Sequence, residues 1–426
     1  MANRKTGPEL HPLETITFPA YDSTTLSNGI PLHLIDMQQE DVVKIEFIIH
    51  AGRYQEDKQG VSAAVNGMLK DGTSKHTSFE IAETLDFYGA SINTESGPDV
   101  VSLVLFSLNK YLDKVLPIVK EILTESIFPE KELSIYQQKT IQRILVDLEK
   151  TEFLATKEFN LALFGDKHPL GYTRDIEGTK AITKDDVLKL YSKDYTAENM
   201  IIIASGKIRT DLKVLLNDYF GSIKKKQSII PRPAPAIVSS AEKKHIAYKE
   251  GAVQSAIRLG KILFNKTHPD FVKLRLLATL LGGYFGSRLM SNIREDKGYT
   301  YGIYSSIGSY LQTGYLVISS EVGTEVTAAT IHEIYYEIER LQNEKAGDKE
   351  LELVKNYMLG NILSSLDGAF NVSGVLKGLL IYDLKTDYFY NMVKTIRHTE
   401  AETLKDLACK YLKKEDLFEI VSGDIK

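Results

Sequence analysis

Asn199-Met200-Ile201-Ile202-Ile203-Ala204-Ser205-Gly206-Lys207-Ile208 returns near the end of the chain as Asp416-Leu417-Phe418-Glu419-Ile420-Val421-Ser422-Gly423-Asp424-Ile425. Both runs lead from a polar residue through mostly apolar ones to Ser-Gly, a polar residue and Ile. Each follows a segment with helical spacing opened by a capping pattern, Thr183-Lys184-Asp185-Asp186 in one case and Thr399-Glu400-Ala401-Glu402 in the other. Two pairings in the same order are the mark of an internal repeat.

Between the repeats, Lys224-Lys225-Lys226-Gln227-Ser228 and Pro231-Arg232-Pro233-Ala234-Pro235 join a charge run to spaced prolines. That composition suits an extended connector. The expected division is an N-terminal domain over 1–225, a linker over 226–243 and a C-terminal domain over 244–426. In the first half, Val43 to Ile49 largely alternates, as does Val101 to Phe106 more weakly, so both read as half-buried strands. A helix is expected from Thr77-Ser78-Phe79-Glu80, with Ile81, Leu85 and Tyr88 on one face and Gly89 as its cap. Further helices are expected from Tyr111 to about Thr124 and from Lys131 onward, and Gly314 to Ser320 is the clearest strand of the second half. The pattern predicts an α+β fold of two similar domains, each an antiparallel-rich sheet covered by helices.

The 426 residues are 43% hydrophobic and 26% charged with a net charge of −5, which fits a globular protein and points to no nucleic-acid partner. Cys409, the single cysteine, excludes an intrachain disulfide and any Cys-based metal site, and reads as a small buried apolar residue. Met1 to Pro8 lacks the apolar core of a signal peptide, and no later run is long and apolar enough to span a bilayer. The expectation is a cytoplasmic protein, or a periplasmic one from which a signal peptide has been removed.

Several short stretches occur in a telling order: Leu26-Ser27-Asn28-Gly29, Ala51-Gly52-Arg53, Gly72-Thr73, Phe164 to Gly171, Tyr195 to Met200, and Ile293-Arg294-Glu295-Asp296-Lys297-Gly298-Tyr299-Thr300-Tyr301. In that order the chain resembles the insulinase, pitrilysin and mitochondrial processing peptidase family over essentially its whole length from Leu26. The resemblance implies two similar domains facing each other like a clamshell.

Active members of that family hold zinc on an inverted His-x-x-Glu-His helix, completed by a Glu from a later helix. Here the matching stretch is Gly60-Val61-Ser62-Ala63-Ala64-Val65-Asn66-Gly67-Met68-Leu69, with Ala63, Asn66 and Gly67 at the motif positions. A helical zinc site also needs two imidazoles one turn apart, and no two of the nine histidines are so spaced. Val61, Val65, Met68 and Leu69 keep an apolar stripe, which leaves Ala63, Asn66 and Gly67 directed toward the expected cleft, with Gly67 an empty position. Asp147 and Glu149 stand where the later Glu would be and read more readily as solvent-facing helix charges.

The resemblance also implies a role for Arg294 and Tyr301, since active members present an Arg and a Tyr at this spacing to steady substrate carbonyls and the developing oxyanion. Without it, the segment reads as a helix end capped by Gly298 and a strand with Tyr299, Tyr301 and Ile303 on one face. Gly282-Gly283-Tyr284-Phe285-Gly286-Ser287-Arg288 lacks the Gly-Lys-Ser/Thr ending of a phosphate loop and reads as a turn after the helix Leu274 to Leu281; the family resemblance implies instead a glycine-rich segment that helps engage substrate. His332-Glu333-Ile334-Tyr335-Tyr336 has Tyr336 where a zinc helix needs its second His. The expected function is that of a noncatalytic, substrate-binding subunit of a heterodimeric zinc-dependent peptidase. It would hold no cofactor of its own, and the zinc would sit in a paralogous partner. The alternative is a self-associating inactive scaffold or peptide-binding protein of the same fold.

Overall fold

A computed structural model describes residues 15–37, 40–225 and 235–425. The first half of the connector expected over 226–243, including Pro231 and Pro233, lies outside the described residues, as does the stretch Met1 to Pro8.

Eleven strands among the described residues form two sheets. They are β1 (Asp22–Thr25), β2 (Pro31–Asp36), β3 (Val42–Ile49), β4 (Ser91–Ser96), β5 (Val101–Leu108), β6 (Met200–Gly206), β7 (Lys244–Tyr248), β8 (Gln254–Leu263), β9 (Thr300–Ser309), β10 (Gly314–Gly323) and β11 (Phe418–Gly423). The first sheet runs β1-β2-β6-β3-β5-β4 and the second β7-β11-β8-β10-β9. The repeated segments are β6 and β11, and they hold the same place. Each is parallel to one neighbour, β2 or β7, and antiparallel to the other, β3 or β8. Apart from the extra β1, the two halves share one strand order.

Local signals read correctly where the chain satisfies its own backbone. The helix Ser78–Phe87 opens with a reciprocal Thr77–Glu80 capping box, buries Ile81 and Leu85, and is followed by Gly89 at φ +61°. Thr183 and Asp186 cap Lys184–Asp194 in the same way. The second expected box does not form: Thr399 donates its hydroxyl back to the Thr395 carbonyl at 2.7 Å, and Glu402 pairs with Lys345, so Ala401–Tyr411 starts without a side-chain cap. Cys409 is exposed rather than buried, because Leu404, Leu407 and Ala408 form the inward stripe of that helix and Cys409 falls one position beyond it.

The halves exchange helices. Thr151–Phe164, from the first half, lies on the second sheet, where Ala155, Phe159, Ala162 and Phe164 share a core with Ala256, Phe418 and Ile420. In return Ala369–Leu380 lies on the first sheet against β6 and β2. This covers the second face of β3, so the strand is buried on both sides instead of half-buried as its alternation suggested. Its polar face survives burial through ion pairs: Glu46, 2% exposed, meets Lys377 at 2.6 Å and Lys44 at 2.9 Å, and Lys44 also donates to Ser373. Burial would raise the Glu46 pKa, but the Lys377 and Lys44 ammonium groups outweigh it and hold the carboxyl below its ordinary value.

Candidate functional site

The helix that would carry a zinc motif spans Val61–Met68 and is firmly seated. Val61, Val65, Met68 and Leu69 are buried as their spacing requires. Its N-terminus is tied down by Glu56, whose carboxylate accepts the backbone N–H groups of Gly60 at 3.1 Å and Ser62 at 2.9 Å and pairs with the Tyr172 hydroxyl. The Ser62 hydroxyl donates to the Ala51 carbonyl at 2.6 Å.

The three motif positions are not simply turned toward a cleft. Asn66 is 1% exposed and its amide donates to the Glu95 carbonyl at 2.7 Å and the Ser96 hydroxyl at 3.0 Å, fastening the helix to β4. Gly67 is not an empty position either. A Cβ built there would meet the Tyr136 ring at 3.1 Å, so the aromatic side chain from the helix Glu130–Leu148 occupies the space a side chain at 67 would enter. Arg174 donates to the Tyr136 hydroxyl at 3.0 Å and steadies that ring. The candidate vestiges point elsewhere, with Asp147 paired to Lys150 at 2.7 Å and Glu149 to Lys249 at 2.6 Å.

These residues do not fit a zinc ion. Ala63 and Gly67 carry no donor atom, the Asn66 amide nitrogen is committed to β4, and Tyr136 fills the flank. Among the described residues no three His, Cys, Asp or Glu side chains are grouped to hold a metal. Two other histidine signals have structural explanations. His168 is buried, stacks on Phe164 and accepts the Leu170 N–H, while His332 lies exposed on Thr327–Asn343 beside Glu333.

The corner around Arg294 and Tyr301 is built differently. Arg294 lies in the π-helical segment Met290–Asp296, and Gly298 at φ +67° turns the chain into β9. There the register against β10 slips, because Thr300 faces Val322 while Ile303 faces Ser320, leaving Tyr301 and Gly302 opposite Glu321. The bulge is stitched by the Thr300 hydroxyl, which donates to the Glu321 carbonyl at 2.7 Å, and by the Ser320 hydroxyl, which donates to the Gly302 carbonyl at 2.9 Å. Its consequence is that Tyr301 does not share a face with buried Ile303. Tyr301 is 93% exposed.

The structure brings the two sequence-selected residues together through the backbone. Arg294 Nε donates to the Tyr301 carbonyl at 3.0 Å, and its guanidinium lies 4.5 Å from the centroid of the exposed Phe285 ring. Phe285 belongs to the glycine-rich run, which is no loose turn. The helix Phe271–Ala278 widens into Thr279–Gly283, and a Cβ on Gly282 would lie 2.7 Å from the Ser305 nitrogen of β9. Tyr284 stacks on Tyr357 at 5.0 Å and Arg288 forms a two-point pair with Glu350. Phe285, Arg294, Tyr301 and the exposed Tyr304 thus present aromatic and cationic groups at the outer edge of the second sheet. Sequence reasoning missed Phe285 and Tyr304 as members of this cluster and Tyr136 as the plug. No local pattern marks a contact between distant elements.

No helix among the described residues is long and apolar enough to cross a membrane. The insulinase (peptidase family M16) model matches residues 33–164, and the peptidase M16 inactive domain model matches 181–358. An uncharacterized zinc protease, YmxG, of Bacillus subtilis is 27% identical over 347 residues, covering 80% of this chain and 84% of its own; one of Rickettsia felis is 26% identical over 354 residues, covering 80% and 83%. Among solved structures, a peptidase M16 inactive domain from Pseudomonas fluorescens superposes with a TM-score of 0.87 at 20% identity, covering 95% of this chain and 98% of its own. A protease from Helicobacter pylori superposes with a TM-score of 0.86 at 18% identity, covering 95% and 99%. With matched models in both halves, the shared fold and no zinc ligands at the motif positions, the chain belongs to the insulinase family, peptidase family M16, on the side of its noncatalytic members.

Proposed function

We propose that this chain is the noncatalytic, substrate-binding subunit of a heterodimeric zinc-dependent peptidase. Arg294 and Tyr301 are its contribution to a cleft whose zinc is held by a paralogous partner. The observation that carries the reading is the contrast between the motif helix, closed by Asn66 and Tyr136, and the solvent-presented Arg294–Tyr301 corner. A guanidinium and a phenol on a bulged strand can hydrogen-bond a peptide carbonyl and the oxyanion that forms from it, while the attacking water belongs to the partner.

The test mixes the chain with the zinc-motif paralogue from the same source and follows cleavage of a peptide library. Alone, the chain leaves peptides intact and a chelator changes nothing. With the partner, hydrolysis appears, and Arg294→Ala or Tyr301→Phe lowers turnover on the order of 10- to 100-fold at unchanged subunit affinity. Chelator-sensitive cleavage by the homogeneous chain would falsify the assignment. A stable homodimer that ignores the paralogue would instead identify a self-associating scaffold.

A further inference from the structure

A cavity of about 730 Å³ lies between the halves. The β4–β5 turn of the first half closes one side of it, and the helices Phe271–Ala278, Ala369–Leu380 and Thr386–His398 with the inner end of β9 close the rest. Its walls are mostly apolar, with Phe271, Phe389 and Met392 among them. Two cations, Lys266 and Arg275, lie in this lining and are close enough to depress the Lys266 pKa through mutual repulsion, on top of the larger effect of burial.

Among the described residues neither cation has a carboxylate bound to it. Lys266 Nζ donates to the Gly378 carbonyl at 3.1 Å and stands 4.2 Å from the centroid of the Tyr382 ring. The Arg275 side chain donates no hydrogen bond and forms no ion pair among the described residues; it lies on the solvent-exposed part of the cavity lining. The single acid in the lining is Asp99, which accepts the Leu311 N–H at 3.1 Å with one carboxylate oxygen and leaves the other buried without a partner. Two cations against one acid leave a single positive charge at neutral pH.

We propose that this cavity is a binding site for a small organic monocarboxylate with an apolar body, its carboxylate between Lys266 and Arg275 and its apolar part against Phe271, Phe389 and Met392. The volume suits a ligand of ordinary small-molecule size, and a guanidinium with no competing partner can take the carboxylate through two parallel hydrogen bonds. Such a group is offered equally by the C-terminus of a short apolar peptide and by a free aryl- or alkyl-carboxylic acid. The proposal does not rest on the heterodimer reading.

Isothermal titration of the full chain with the dipeptide Leu-Phe, its C-terminal amide and 3-phenylpropanoate tests it. Saturable one-to-one binding of a free-carboxylate probe, with the amide at least tenfold weaker, is expected; the tighter of the two carboxylates identifies the source. Arg275→Gln and Lys266→Met should each weaken that binding about tenfold. Arg275 has no partner to lose, so its variant keeps the thermal midpoint of the parent and reports on binding alone. Equal binding of acid and amide, binding indifferent to Arg275→Gln, or no saturation by either carboxylate at millimolar concentration overturns the proposal.

Discussion

The motif helix of the first half and the Arg294–Tyr301 corner of the second have met opposite fates in one molecule. Around Gly67 the chain has used ordinary packing: an amide fastens the helix to β4, an aromatic ring lies where a ligand side chain would stand, and an arginine steadies that ring. Around Tyr301 it has done the reverse, inserting an extra residue into an edge strand so that a phenol stands in water beside a guanidinium stacked on an exposed ring. The first corner is packed as core and the second is presented to solvent. Substitutions in the first should register as stability, and in the second as function.

The sharpest way to break that comparison is Asn66→Glu, which restores the general-base residue of the motif. It replaces a buried donor with a buried carboxylate facing the Glu95 carbonyl, and should cost about 4 kcal/mol, read as a lowered urea midpoint. A variant of parental stability would show the corner to be open. Gly67→His comes next. Overpacking against Tyr136 should cost about 2 kcal/mol, and Tyr136→Ala in the same chain should recover part of it in a double-mutant cycle. Additive losses would mean that the ring does not seal the site.

A third test probes the space between the two halves by its pH dependence. Burial raises the Asp99 carboxyl pKa to about 6, above the unfolded value of about 3.9. Between those pH values the folded chain keeps a proton that the unfolded chain has released, so stability falls as pH rises through the window, and the cost is fully present above it. Asp99→Asn should therefore raise stability at pH 7 by about 1 to 2 kcal/mol, with the gain vanishing near pH 4. A gain that is the same at both pH values would contradict the assignment. The smallest effect on stability belongs to the open corner, where Arg294→Ala and Tyr301→Phe should shift unfolding by less than about 0.5 kcal/mol. A larger loss would make these residues structural and remove the basis for their role in the complex.

The legibility of the two corners differed for the same reason. The absence of ligands at Ala63, Asn66 and Gly67 can be read in the chain, because donor atoms are a property of the residue itself. How the vacated space is closed cannot be read, since Tyr136 stands 69 positions further along the sequence (136 − 67), a contact of long range. Arg294 and Tyr301 could be selected by spacing, yet strict alternation turns Tyr301 toward the face of Ile303. The bulge that reverses this depends on hydroxyls from Thr300 and Ser320 on two paired strands.

By itself the sequence determined the repeat, the strands and capped helices whose backbone is satisfied locally, and the lack of zinc-binding atoms on the motif helix. Tertiary structure alone decided that the polar face of β3 would be covered by a helix from the other half, with Glu46 held between two lysines, and that Cys409 would face outward. Periodicity records which residues share a face. Only the packing of distant segments decides whether that face meets water, a charge or another part of the chain.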